Sequence, residues 1–148
     1  MRRFCGLLLG LVLGLVAAPA SAQIAVHTVS LTTDASGDVT AYTTGTFGQV
    51  LAVRYVPDAT SPLATGATLT ITDNTTGLQV LAVSNLGLSA RDFAPRMFTM
   101  TTTGGIALYT GGGESVLDPV PVAGAIKVVV AAGGNAKIGT VYIFVSGR

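Results

Sequence analysis

His27 is the only histidine in the chain, and the carboxylates are Asp34, Asp38, Asp58, Asp73, Asp92, Glu114 and Asp118. Serine-hydrolase chemistry would place that one imidazole between a nucleophile and an orienting carboxylate, yet no serine stands in a Gly-x-Ser-x-Gly turn. A zinc centre needs several nitrogen or sulfur ligands, and a lone histidine on a strand reads as a packed or surface residue. Cys5 is the only thiol. Two carboxylates facing across a cleft could hydrolyse a glycoside. No spacing here brings two together: all seven fall in turn or loop contexts, where aspartate caps backbone amides. Asp34-x-Ser36-Gly37-Asp38 and Asp73-Asn74 offer oxygens to calcium but lack the acidic density of an EF-hand loop. Gly133-Gly134-Asn135-Ala136-Lys137 has the glycines and lysine of an anion cradle, but it lies between two β runs with no helix behind it, and so reads as a hairpin turn. Arg54, Arg91 and Arg96 are isolated cations, with Arg96 and Asp92 close enough in sequence for a weak surface pair. These residues imply no catalytic, cofactor-binding or metal site, and hence a protein that is not an enzyme.

The segments that would position such residues are rich in Thr, Val, Ile, Tyr and Phe and punctuated by Gly, Asp, Asn and Pro, with no sustained helical repeat. Strands are predicted over about 26–33 and 39–43, joined by the Asp34–Asp38 turn as an opening hairpin. The run 47–56 is apolar on both faces and reads as a central strand. Residues 67–72 alternate strictly, which turns Thr68, Thr70 and Thr72 outward, and the turn Asp73–Gly77 leads into 78–83 as a second hairpin. Ser89–Asp92 reads as one helical turn, followed by strands over 96–100 and 106–110. Gly111–Gly113 and Asp118-Pro119-Val120-Pro121 bound a long loop. Ala125–Ala131, with Val128, Val129 and Val130 buried on both faces, and Gly139–Val145 close the chain. The expected fold is all-β, one antiparallel β-sandwich or jelly roll of about eight strands.

Residues 1–22 have the layout of a secretory signal peptide: Arg2 and Arg3, an apolar run from Phe4 to Ala18, and Pro19-Ala20-Ser21-Ala22 before Gln23. Cleavage after Ala22 would release a thiol-free domain, residues 23–148, to the periplasm or the extracellular space, without disulfides and with no membrane contact. The chain carries 8 Lys and Arg against 7 Asp and Glu. Losing Arg2 and Arg3 leaves about one net negative charge, with no basic cluster to bind nucleic acid. Asn74-Thr75-Thr76 also matches a glycosylation sequon.

Three stretches, Thr28–Asp38, Val50–Val56 and Pro121–Tyr142, together resemble small β-rich proteins encoded among the structural genes of tailed phages. In Pro121–Tyr142 the likeness runs through Lys127-Val128-Val129-Val130-Ala131 and Gly133-Gly134-Asn135-Ala136-Lys137. The resemblance implies a virion-associated role, head decoration or minor capsid component, with no individual functional residue to carry over. The leader departs from that pattern. The function expected from the sequence is therefore that of a structural or interaction protein packing against copies of itself or a larger assembly. The other expectation is an exported module that binds a glycan or surface ligand through Tyr42, Tyr55, Tyr109 and Tyr142.

Overall fold

The computed structural model describes residues 23–108 and 113–147. The leader 1–22 with Cys5, and Tyr109, Gly111 and Gly112, lie outside the described residues. Among the described residues, two antiparallel sheets stack into an all-β sandwich with ten strands: β1 (Ile24–Thr32), β2 (Val39–Tyr42), β3 (Thr46–Pro57), β4 (Thr68–Asp73), β5 (Gln79–Val83), β6 (Arg91–Phe93), β7 (Arg96–Phe98), β8 (Leu117–Gly124), β9 (Ile126–Ala131) and β10 (Ile138–Ser146). The larger sheet runs β1-β10-β3-β8-β7, with β6 also paired to β3, and the smaller runs β2-β9-β4-β5.

Alternation along each strand builds the core. Val29 and Leu31 on β1, Val50, Val53 and Tyr55 on β3, Val120 and Val122 on β8, and Val141, Ile143 and Val145 on β10 are buried beneath the larger sheet. Leu69 and Ile71 on β4 and Ile126, Val128 and Val130 on β9 meet them from the smaller sheet. Thr68, Thr70 and Thr72 turn to the outer face and are half-exposed, as their alternation predicts.

Several local expectations are corrected. β1 and β2 do not form a hairpin: β1 pairs with β10 and β2 with β9, so residues 33–38 carry the chain from one sheet to the other. Residues 132–137 likewise cross between β9 and β10 instead of closing a hairpin. The two crossings stack on each other. The Thr33 hydroxyl donates to the Gly134 carbonyl at 2.5 Å and accepts from the Lys137 amide at 2.8 Å, and the Gly133 amide donates to the Gly37 carbonyl at 2.7 Å. A Cβ on Gly133 would come within 2.7 Å of the Thr33 Cγ2 and 3.0 Å of the Gly37 carbonyl, so glycine is required by close approach.

The second hairpin, β4–β5, forms as read, with a register shift between Ile71 and Thr72. Residues 91–93 are a short strand and not part of a helical turn, and 106–110 makes only isolated bridges, at Ile106 and Leu108, within the described residues. The proline-bearing segment read as a loop is strand β8. Its first half, through Pro119, pairs with β7, and its second half, with Pro121, pairs with β3. Each half thus has one neighbour, and a residue lacking an N–H is tolerated where the other side is open. Val129 is half-exposed where burial on both faces was expected. β9 belongs to a two-layer sandwich whose outer face is uncovered, so of the three valines Val128 and Val130 reach the core, beside Ile126, and Val129 does not.

Candidate functional site

The residues with chemical potential are dispersed. His27 lies on β1 in the same row as Ile143 and Val53, on the inner face, and its Nε2 is buried without a hydrogen-bond partner. Asp34 and Asp38 are spent on the sheet crossing: the Asp34 carboxylate accepts from the Ser36 and Asp38 amides at 2.8 and 3.0 Å, and Asp38 accepts from the Ala132 amide at 3.2 Å. Asp58 caps the Thr60 and Ser61 amides at 2.9 and 2.8 Å, and those bonds hold its carboxyl below the ordinary range. Asp92 stands 3.7 Å from Arg54, a partner other than the Arg96 suggested by sequence proximity. The Arg96 guanidinium instead donates to the Pro95 and Leu51 carbonyls at 2.8 and 3.3 Å. Leu51 sits where the β3–β10 ladder slips and has no strand partner, so its carbonyl is open to that donor. Asp118, on β8, accepts from the Thr99 hydroxyl. Among the described residues, no group of three or more His, Cys, Asp and Glu could hold a metal ion.

Of the acids expected in turns or loops, Asp92 and Asp118 lie instead on β6 and β8 and Asp73 on β4, and among the described acids the buried one is Asp73. It ends β4, is completely buried, and accepts from the Thr75 amide at 2.9 Å, the Thr76 hydroxyl at 2.9 Å and the Ala123 amide at 3.0 Å. Burial acts to raise its pKa, but these bonds together outweigh burial and hold the carboxyl below its ordinary value. The turn-capping half of this role is local and readable from Asp73-Asn74-Thr75-Thr76. The bond to Ala123 is not, because nothing in the sequence places β8 beside that turn. With its oxygens engaged, Asp73 is a structural clamp.

Among the described residues, Tyr42, Tyr55 and Tyr142 do not form a platform. Tyr42 is exposed on the outer face of the smaller sheet opposite Lys127, Tyr142 is half-buried on the outer face of the larger sheet, and Tyr55 is in the core. The Tyr55 hydroxyl has no hydrogen-bond partner; burial raises its pKa, and the nearby Leu63 backbone, although not in bonding geometry, offsets this in part.

What the sandwich does assemble is an apolar outer face. The register sets Val26 beside Phe144 and Ala52 in one row and Ile24 beside Ser146, Gln49 and Pro121 in the next, while Phe98 pairs with Leu117 and Phe47 with Ala123. Ile24, Val26, Phe98 and Leu117 are exposed, and Phe47 is 74% exposed. Pro121 separates two shallow grooves. One, of about 320 Å³, runs between Phe47, Gln49 and Ser146; the other, of about 490 Å³, lies against Thr76, Leu78 and Ala123. Their walls supply apolar contact, backbone polar groups, the Thr76 and Ser146 hydroxyls and, in the larger groove, the edge of Asp73, a mixture that suits binding.

No protein-family model matches the chain, and no curated protein matches it. Among solved structures it is similar to one titled "Crystal Structure of FLHE", at 12% identity and a TM-score of 0.42, over 85% of this chain and 100% of that one. A likeness that distant carries no statement of function.

Proposed function

We propose that the protein is a non-enzymatic interaction domain that packs against copies of itself or a larger assembly after export behind residues 1–22. The observation that carries this reading is the outer face of the larger sheet, where Ile24, Val26, Phe47, Phe98 and Leu117 stand in water. A sandwich already has a core to bury such residues in, so a cluster left outside marks a contact surface. Decoration of a particle is the form of this role that the phage resemblance suggests, and the low charge of the chain, 10% of residues, suits a surface meant to be covered.

The test is to express the full-length chain, recover it from periplasmic, extracellular and particle fractions, and measure its mass in solution by light scattering after size-exclusion chromatography. Co-purification with a particle, or a mass above that of one chain, supports the reading. A strictly monomeric protein absent from every assembly, with binding to a glycan array in its place, overturns it.

A further inference from the structure

We propose that β1 is a self-pairing edge, through which two copies of this chain join by antiparallel β1–β1 contact about a two-fold axis at Thr28. The inference rests on the assembly reading above and specifies its first contact.

In an antiparallel pair, alternate residues direct their N–H and C=O toward the neighbour and the others direct them away. The Gly147 amide donates to the Gln23 carbonyl at 2.9 Å and the Thr33 amide to the Lys137 carbonyl at 2.9 Å, and the register between them is unbroken from Ile24 to Thr32. The odd-numbered residues of β1 are therefore those bonded to β10. Ile24, Val26, Thr28, Ser30 and Thr32 present their amides and carbonyls to the open edge, since among the described residues β1 is terminal in its sheet.

The other sheet edges are short: β7 has 3 residues, β2 has 4 and β5 has 5, the last with a register shift opposite β4. β1 has 9 residues, IAVHTVSLT, with no Lys, Arg, Asp, Glu or Pro and no bulge. Edges that stay unpaired are ordinarily shortened, charged, bulged or broken by proline, and β1 has none of these guards.

The geometry favours a second copy as the occupant. When two β1 strands run antiparallel with Thr28 opposite Thr28, Val26 meets Ser30 and Ile24 meets Thr32, so all five outward-facing residues pair at once and form about ten hydrogen bonds. No other two-fold register satisfies all five. Thr28 on Thr28 is a favourable cross-strand pair, and a strand without Lys, Arg, Asp or Glu sets none of these charges against its own copy. Ile24 and Val26 lie on the outer face, so pairing also joins the apolar bands of the two copies across the axis.

The test uses the full-length chain with Cys5→Ser and a single cysteine introduced on β1. Cα atoms of a hydrogen-bonded antiparallel pair lie about 5.5 Å apart, within disulfide reach. Oxidation of the Thr28→Cys variant is expected to give a covalent species of twice the chain mass. Ser30→Cys, whose symmetry mates would lie about four residues apart along the strands, is expected to give none. Thr28→Lys, a change at an exposed residue, should raise the dimer dissociation constant at least about tenfold while leaving the thermal midpoint of the isolated chain in place. A dimer that survives Thr28→Lys and cross-links equally at both positions overturns the β1 contact and leaves the assembly reading standing. An adduct of some other mass assigns the edge to a foreign strand and overturns self-pairing. A monomer at all concentrations, with no adduct in extracts, removes both readings.

Discussion

Asp73 joins the β4–β5 turn to β8 through one carboxylate, because its oxygens take up amides from both segments where the side chain is buried at the foot of the groove beside Leu78 and Pro121. Replacing it with Asn keeps the shape but points an amide N–H₂ at donors, leaving buried groups unpaired. The expected loss for Asp73→Asn is about 2–3 kcal/mol, read from the urea midpoint at pH 7. The same carboxylate sets an acid response. Its folded-state pKa lies below the ordinary 3.8, so its contribution is complete above that value and disappears as the pH falls through the lowered one. Below about pH 4 the wild-type midpoint should fall more steeply than that of Asp73→Asn. Tyr55 behaves in the opposite way. Its hydroxyl is buried and unpartnered, so Tyr55→Phe removes a desolvated group without breaking a bond, and its unfolding free energy should stay level or rise by up to about 1 kcal/mol.

The crossings are the most exacting elements of the fold. Gly133→Ala would press a methyl into Thr33 and the Gly37 carbonyl, and the cost expected of such overpacking is about 1–3 kcal/mol, visible as a lower thermal midpoint. Strand identity was legible in the sequence wherever alternation was strong, as in Thr68–Asp73, because burying one face imposes a period of two. Partner choice was not. Asp34–Asp38 and Gly133–Lys137 carry the residues of a hairpin turn, yet both change sheets, since a tight turn and a crossing place the same demands on local backbone. The distinction lies in Thr33 reaching Gly134 and Lys137, contacts between residues about a hundred positions apart. Pro119 and Pro121 concealed β8 for a similar reason: proline argues against a strand unless one edge is known to be open. The apolar surface was hidden at this scale as well. Phe47, Ile24 and Phe98 look like core residues in the sequence, and only the register shows that they share the outer side.

For the molecule as a whole, the sandwich is held from its middle outward. β3 and β10 lie inside the larger sheet, while residues 99–108 are tied by a few backbone bonds at one end. Hydrogen exchange should therefore be slowest at the buried β3 and β10 positions Val53, Val141 and Ile143, and fastest between Thr101 and Gly105. Substituting Phe47, which is 74% exposed, should change recovery in assemblies without moving the unfolding midpoint: Phe47→Ser is expected to stay within about 0.5 kcal/mol of the parent. The pairing of β1 with β10 also imposes a schedule. The first strand out of the ribosome has no ladder until Ile138–Ser146 has been synthesised, and β3 waits for that same strand on one of its sides. β1 therefore waits unpaired until almost the whole chain has been made, whereas β4 and β5 can close their hairpin as soon as Val83 has emerged.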